Sequence, residues 1–231
     1  MSLPRFLRRA LASEAVWRAS GFTLATAIRA TRGRFQSVSA YLEDCRRELA
    51  PLDAWIPSGG SVIEFGCGPG GLLLALRTRI GRGIGVDINR GYIRHARRLA
   101  LRLGAPNLEF VAYDGRRLPP MDAPVDLVLS MGVFERVPLE LGRAYLAALR
   151  PAVRPGGHFV IYFLSERALG TPLTALLGDD AYAPWPAGVP RAALEGCGLT
   201  VVAEIPSGRI EGRPGQGPVD AGDVLIARAP G

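Results

Sequence analysis

At 231 residues and 24.6 kDa the chain is near the upper end of what one hydrophobic core supports, so one α/β domain, alone or with an appendage, is expected. A hydrophobic share of 48% against 21% charged residues excludes general disorder, and 29 Gly with 19 Pro in no triplet period exclude a collagen-like chain. The basic side is all arginine, and residues 1–35 hold seven Arg against one Glu, so six of the seven net positive charges lie in that arm.

Residues 5–32 alternate apolar and Arg clusters at helical spacing, with Phe6, Leu7, Leu11, Val16 and Trp17 set against Arg5, Arg8, Arg9 and Arg18. One or two short basic amphipathic helices are predicted there, and residues 1–55 read as a helical extension, lid or docking arm. An organelle transit peptide and a solvated tail are the alternatives. Ser39 to Ala54 reads as a further helix, with Tyr41, Leu42, Cys45, Leu49 and Leu52 on one stripe, closed near Pro57 and Gly59-Gly60. No apolar run reaches the roughly 20 residues that cross a bilayer. Arg29 and Arg32 break one candidate, and Arg77 and Arg79 another. The three widely spaced cysteines, Cys45, Cys67 and Cys197, build neither a disulfide framework nor a zinc ribbon, which fits a reducing, cytoplasmic setting.

From Ser61 onward short β-rich runs alternate with helical stretches, the signature of parallel βαβ units. Strands are predicted at 61–65, 83–87, 108–113, 125–131 and 158–164, with helices at 71–79, 90–103 and 140–148 between them. A helix over 166–177, an irregular segment to Val189, a helix over 191–197 and a strand over 199–205 follow. A Gly/Pro-rich loop then leads to a last strand at 223–227. The expected fold is a doubly wound, seven-stranded, mostly parallel α/β sheet over residues 56–231.

The densest chemistry lies in Val62-Ile63-Glu64-Phe65-Gly66-Cys67-Gly68-Pro69-Gly70-Gly71, a buried-type strand entering a glycine turn and then a helix. Glycines let a ligand approach the backbone, and a helix start offers free N–H groups. Gly66, Gly68 and Gly71 also satisfy a dinucleotide fingerprint, with Asp87 about twenty residues on, so the glycines alone leave a nicotinamide-dependent oxidoreductase open. Asp87 closes the second strand, where a carboxylate can accept both ribose hydroxyls, although Asn89-Arg90 beside it reads as a helix start. Asp114, before Gly115, could accept an adenine amino group or close an Asx turn.

Taken together these runs resemble the class I S-adenosylmethionine-dependent methyltransferases, nearest the small-molecule group of ubiquinone and menaquinone biosynthesis. The resemblance rests on Glu64 to Gly70, Asp87, Tyr113-Asp114-Gly115, Asp126 to Glu135, and Leu149-Arg150-Pro151 with Arg154-Pro155-Gly156-Gly157, five motifs in family order. It implies a methyl donor held by Glu64 near its amino group and by Gly66, Cys67, Gly68 and Gly70 along its methionine part. Asp87 would take the ribose, Asp114 with Gly115 the adenine, and Ile88 and Ser130 would line the same site. It implies a small-molecule acceptor and no metal, and Asp179-Asp180 reads as a solvated loop. One departure stands out: after Phe134-Glu135, where many relatives carry His, this chain has Arg136. The first 55 residues have no counterpart in the resemblance.

Transfer from a sulfonium needs alignment and a dry site more than a base. If a base is used, Glu135, just past the fourth strand, is better placed than either histidine. His95 is expected on a surface among Arg94, Arg97 and Arg98, and His158 at the amino edge of the fifth strand. Tyr162, Phe163, Tyr182 and Trp185 read first as core and alternatively as acceptor-pocket lining. The remaining alternative is a non-catalytic protein whose basic arm docks on RNA, an anionic carrier or a membrane.

Overall fold

The computed structural model describes residues 23–25, 27–28, 36–115, 118–119, 122–169, 182–207, 209–210 and 219–231. Strands β1 (Ser61–Phe65), β2 (Arg82–Asp87), β3 (Leu108–Ala112) and β4 (Val125–Ser130) are short, and most of their residues are buried. Such runs suit parallel strands covered on both faces. With β5 (Val153–Leu164), β6 (Thr200–Pro206) and β9 (Gly222–Arg228) they form one sheet in the order β3-β2-β1-β4-β5-β9-β6. β9 runs antiparallel between β5 and β6, and the neighbouring pairs from β3 through β5 are parallel. The chain reverses its strand order between β1 and β4, and ligands of open α/β sheets bind in the crevice at such a reversal, at the carboxyl ends of the strands.

One face of the sheet is covered by α1 (Val38–Leu49), α2 (Gly71–Leu76) and α3 (Arg90–Arg102), whose Leu42, Leu49, Leu73 and Ile93 share one buried cluster. Tyr41, Cys45 and Ile28 belong to the same cluster, so residues before β1 contribute to the core. The opposite face packs on α4 (Leu139–Leu149) and α5 (Val189–Gly196) through Leu146, Leu149 and Leu194. The amino edge is fastened by Asp126, which accepts from the amide and hydroxyl of Ser61 at 2.7 and 2.8 Å and from Arg154 Nε at 2.6 Å. Burial alone would push that carboxyl up, but these donors outweigh it and hold it below the usual range.

Several boundaries differ from the sequence expectations for local reasons. The predicted helix at 39–54 becomes α1 followed by a 3-10 segment at Ala50–Trp55, because Pro51 cannot continue the α ladder. α2 ends at Leu76 rather than Arg79, and the Asn107 amide takes up the freed carbonyls of Arg77 and Ile80, each at 2.9 Å. Of the expected helix over 166–177, the described part is one 3-10 turn, Glu166–Ala168, with Leu169 extended after it; residues 170–181 lie outside the described residues, as does the Asp179-Asp180 pair. Inside the predicted Gly/Pro loop, β7 (Arg209–Ile210) pairs with β8 (Val219–Asp220), a pairing too short to leave a periodic signal. His95, expected on a surface, is buried at 8% exposure on the core side of α3. The expected amphipathic helices over 5–32 fall mostly outside the described residues, and no described helix is long and apolar enough to cross a membrane.

Phe134, Phe163 and Trp185 form a ring cluster with centroids 5.0 to 6.1 Å apart, so Phe163 and Trp185 are core, as first read. Gly142 of α4 lies under the Trp185 indole, and a Cβ there would overlap Trp185 Cζ2. Gly142→Ala should therefore destabilise the fold by about 1–2 kcal/mol, despite a helix-propensity gain near 1 kcal/mol. Urea unfolding measures this, and an unchanged or higher midpoint would show that the indole yields at little cost.

Candidate cofactor and acceptor site

The glycine turn after β1 is built from the backbone outward. The amides of Gly66 and Cys67 both donate to Val86 O of β2, at 2.8 and 3.0 Å, and the Gly70 amide donates to Cys67 O at 2.9 Å. Gly66, Gly68 and Gly70 have φ of 77°, 53° and 83°, a region side chains disfavour, so this path needs glycine. Space is a second constraint at Gly70, whose Cβ would lie 2.8 Å from the Phe110 ring. At Gly66 a Cβ would overlap Val133 Cγ2, which places the loop after β4 directly over the turn.

Asp87 ends β2 beside this turn. Its Oδ2 accepts the Gly68 amide at 2.8 Å and its Oδ1 the Asn89 amide at 2.7 Å. Asn89 in turn caps α3 by accepting from the amides of Gly91 and Tyr92. The carboxyl is thus aimed by backbone on both sides, and each oxygen keeps a lone pair for a further donor. Burial pushes it up to about 6, against the pull of the two amides. Glu64, buried in β1, accepts the Leu73 amide of α2 at 3.3 Å. The Cys67 thiol is buried next to both carboxylates; burial raises it well above its ordinary value, and Asp87 and Glu64 push the same way.

Ile88 lies beside Gly115, which has φ of 85° and whose carbonyl accepts the Tyr145 hydroxyl at 2.7 Å. Tyr145, on α4, thereby anchors the loop that carries Asp114, and Asp114 is exposed next to that anchor. Ser130 is fully buried and gives its hydroxyl to Phe65 O at 2.9 Å, tying the carboxyl end of β4 to β1. The structure therefore gathers Glu64, the glycine turn, Asp87, Ile88, Asp114-Gly115 and Ser130 along one edge of the sheet. The helpers missing from the sequence reading are Val133, Tyr145 and Tyr41. The Tyr41 hydroxyl fills the space where Gly71 would carry a Cβ, and only its place on the α1 stripe hinted at it.

Glu135 follows β4 at the same edge and is 4% exposed. Its Oε1 lies 3.4 Å from Arg136 Nε, while Oε2 has no hydrogen-bond partner among the described residues. Arg136 lies over the Tyr182 ring at 4.6 Å, and the Ala183 amide donates to Glu135 O at 2.6 Å, so the loop after β4 holds the 182–185 segment. Burial raises the Glu135 carboxyl above the ordinary range; Arg136 pulls it down, and Glu48 of α1 adds to the rise. Trp185 Nε1 is likewise buried without a hydrogen-bond partner among the described residues. Tyr162 gives its hydroxyl to Ala221 O at 3.0 Å. His158 is far from these groups. It pairs in register with Leu127 near the start of β4 and packs 5.4 Å from the Trp55 ring.

A buried strand-end carboxylate beside a glycine turn, with a second carboxylate behind it and an exposed one at the next strand, suits a ligand bearing a ribose, an ammonium and an exocyclic amine. Residues 62–157 match the family profile described as a methyltransferase domain. A curated relative, the 2-heptyl-1-hydroxyquinolin-4(1H)-one methyltransferase of Mycobacteroides abscessus, is 25% identical over 109 residues, which are 47% of this chain and 48% of that protein. The chain thus matches about half the length of this relative.

Among solved structures, the magnesium protoporphyrin IX methyltransferase of Synechocystis with bound S-adenosylhomocysteine superposes with a TM-score of 0.68 at 18% identity, covering 96% of this chain and 99% of that one. The N-methyltransferase NodS of Bradyrhizobium japonicum gives 0.67 at 14% identity, with 95% and 99% covered. The [4+2]-cyclase SpnF gives 0.63 at 16% identity, with 80% of each chain covered, so this fold also carries other chemistry and the reaction has to be argued from the site. The match of residues 62–157 to a methyltransferase domain, on a sheet that shares the fold of these methyltransferases, favours a methyl donor over the nicotinamide reading.

Proposed function

We propose that the protein transfers the methyl group of S-adenosylmethionine to a small-molecule acceptor bound over the carboxyl ends of β4 and β5. The observation that carries this reading is Glu135, a buried carboxyl with one oxygen held by Arg136 and the other without a partner among the described residues, in the loop whose Val133 lies over Gly66. A buried acceptor atom left without a donor costs about 1–3 kcal/mol, and an O–H or N–H of the acceptor molecule would relieve it. The donor supplies an electrophilic methyl with a neutral sulfur leaving group. In this reading Glu64, Asp87 and Asp114 orient the donor through its amino, ribose and adenine groups. Val133 and the 182–185 segment keep water from the transfer path, and Glu135 Oε2 holds or takes the acceptor's proton.

Small molecules are what the matched methyltransferases act on by name: a hydroxyquinolinone in one case and magnesium protoporphyrin in another. The likeness to quinone-biosynthesis enzymes is carried here only as far as a small acceptor, since Arg136 replaces the His of many relatives. A cytoplasmic setting belongs to the same proposal. The test is a metabolite screen with donor labelled in its methyl group. Label should appear in a low-molecular-weight product, and its appearance only in RNA or protein would sink the acceptor class.

A further inference from the structure

Helix α3 presents two unlike faces. Tyr92, Ile93, Ala96, Leu99 and Ala100 are buried against the sheet, whereas Arg90, Arg94, Arg97, Arg98 and Arg102 are exposed on the outside. Arg90, Arg94, Arg97 and Leu101 stand at i, i+4, i+7 and i+11, one stripe of a helix, with Arg98 and Arg102 flanking it. Elsewhere, arginines such as Arg46, Arg47, Arg82, Arg143, Arg154 and Arg191 each pair with a carboxylate. None of the five on α3 pairs with one among the described residues; Arg97 donates to Phe110 O. At the carboxyl end of this stripe, between Arg98 and Arg102, Leu101 is 84% exposed, the most exposed large apolar side chain of the described residues. Five like charges on one helix face repel one another and weaken the helix, and a counter-charged partner would offset that repulsion.

We propose that the outer face of α3 docks the protein on an anionic lipid surface, with its arginines against the phosphates and Leu101 entering the headgroup boundary. Leu101 favours lipid over nucleic acid, because a phosphate backbone has no use for an apolar side chain, whereas an interfacial helix inserts one. The face also lacks an aromatic ring on which a base could stack, since Tyr92, the one aromatic of α3 besides buried His95, is 1% exposed. The apolar side of α3 stays in the protein core, so attachment is electrostatic, reversible and weakened by salt. The basic arm over residues 1–35 carries the same sign of charge and would add to the attraction. This inference does not depend on which acceptor is methylated.

The test is co-sedimentation of the full chain with vesicles of phosphatidylcholine alone and of phosphatidylcholine mixed with phosphatidylglycerol. Binding is expected to the mixed vesicles only and should fall with salt. An arginine near such a surface contributes roughly a fivefold factor, so Arg94→Glu with Arg98→Glu should lower partitioning at least about tenfold. The same net change made by Arg143→Glu with Arg191→Glu, on α4 and α5, should stay within about twofold of the parent. Leu101→Asn alone should lower binding roughly threefold to tenfold and leave the salt dependence unchanged. Calorimetry with S-adenosylmethionine should give one dissociation constant for the parent and all variants, which separates this proposal from folding and from the cofactor site. Equal binding of the α3 pair and the parent, no preference for anionic vesicles, or α3-dependent capture of single-stranded RNA without vesicle binding would each overturn it.

Discussion

Asp87→Ala should weaken S-adenosylmethionine binding by about a hundredfold or more. In the proposed reading the carboxylate has two tasks: its remaining lone pairs would take the ribose hydroxyls, and its oxygens fix the amides of Gly68 and Asn89 at 2.8 and 2.7 Å. Hydrogen bonds to a charged group are worth about 1.5–3 kcal/mol each, and removing the side chain loses the ribose contacts while freeing the glycine turn. Asp87→Asn keeps the volume but turns an acceptor into an N–H donor facing one of those amides, so it should lose nearly as much. Isothermal calorimetry is the measurement, and a dissociation constant within threefold of the parent would remove Asp87 from the ribose role.

The same residue predicts a pH dependence with opposite signs for binding and stability. In the free protein burial has moved the carboxyl from 3.8 up to about 6. Ribose hydroxyls donate to the ionised form, so affinity should be flat above about pH 6 and fall up to about tenfold per unit below it. The folded state holds this proton more tightly than the unfolded chain does. Between about pH 6 and 4 Asp87 therefore makes the ligand-free fold more stable as pH falls, while binding is lost. Affinities measured from pH 5 to 8, for parent and Asp87→Asn, check this, and a pH-independent parent would contradict it.

Glu135→Gln should bind the donor within about threefold of the parent and lose turnover by roughly 10²–10⁴, the usual range for a positioned acid or base, once an acceptor has been identified. His158→Gln should be nearly silent. Glu135 stands past the carboxyl end of β4 with an unpartnered oxygen, whereas His158 stacks near Trp55 at the other edge, where burial first, then Arg228 and Arg154, lowers its pKa. Gln keeps the reach of Glu but neither its charge nor its basicity, so a fall in kcat with unchanged donor affinity isolates that chemistry. The acid limb of the parent profile should lie above the ordinary Glu range, because burial raises this carboxyl, and should vanish in the variant. A fall caused by His158→Gln instead would move the reacting centre to the other end of the strands.

The parallel βα units, and the carboxylates and glycines that stand at the carboxyl ends of β1 and β2, were legible along the chain. Those signals are local: a run of Val, Ile and Leu makes a buried strand, a glycine permits positive φ, and a strand-ending Asp stands at the edge where ligands bind. Tertiary structure alone decided that Val133 sits over Gly66 and that Tyr145 anchors the loop of Asp114 from a helix thirty residues away. It also decided that His95 faces the core and that Arg136 pairs with Glu135 while reaching over Tyr182. The spacing of α3 marks its two faces, but among Arg94, Arg97 and Arg98 a histidine reads as one more polar surface residue. Whether it is buried, and whether its arginine neighbours find carboxylates, depends on which strands and loops the sheet order brings alongside, and no periodicity along the chain encodes that.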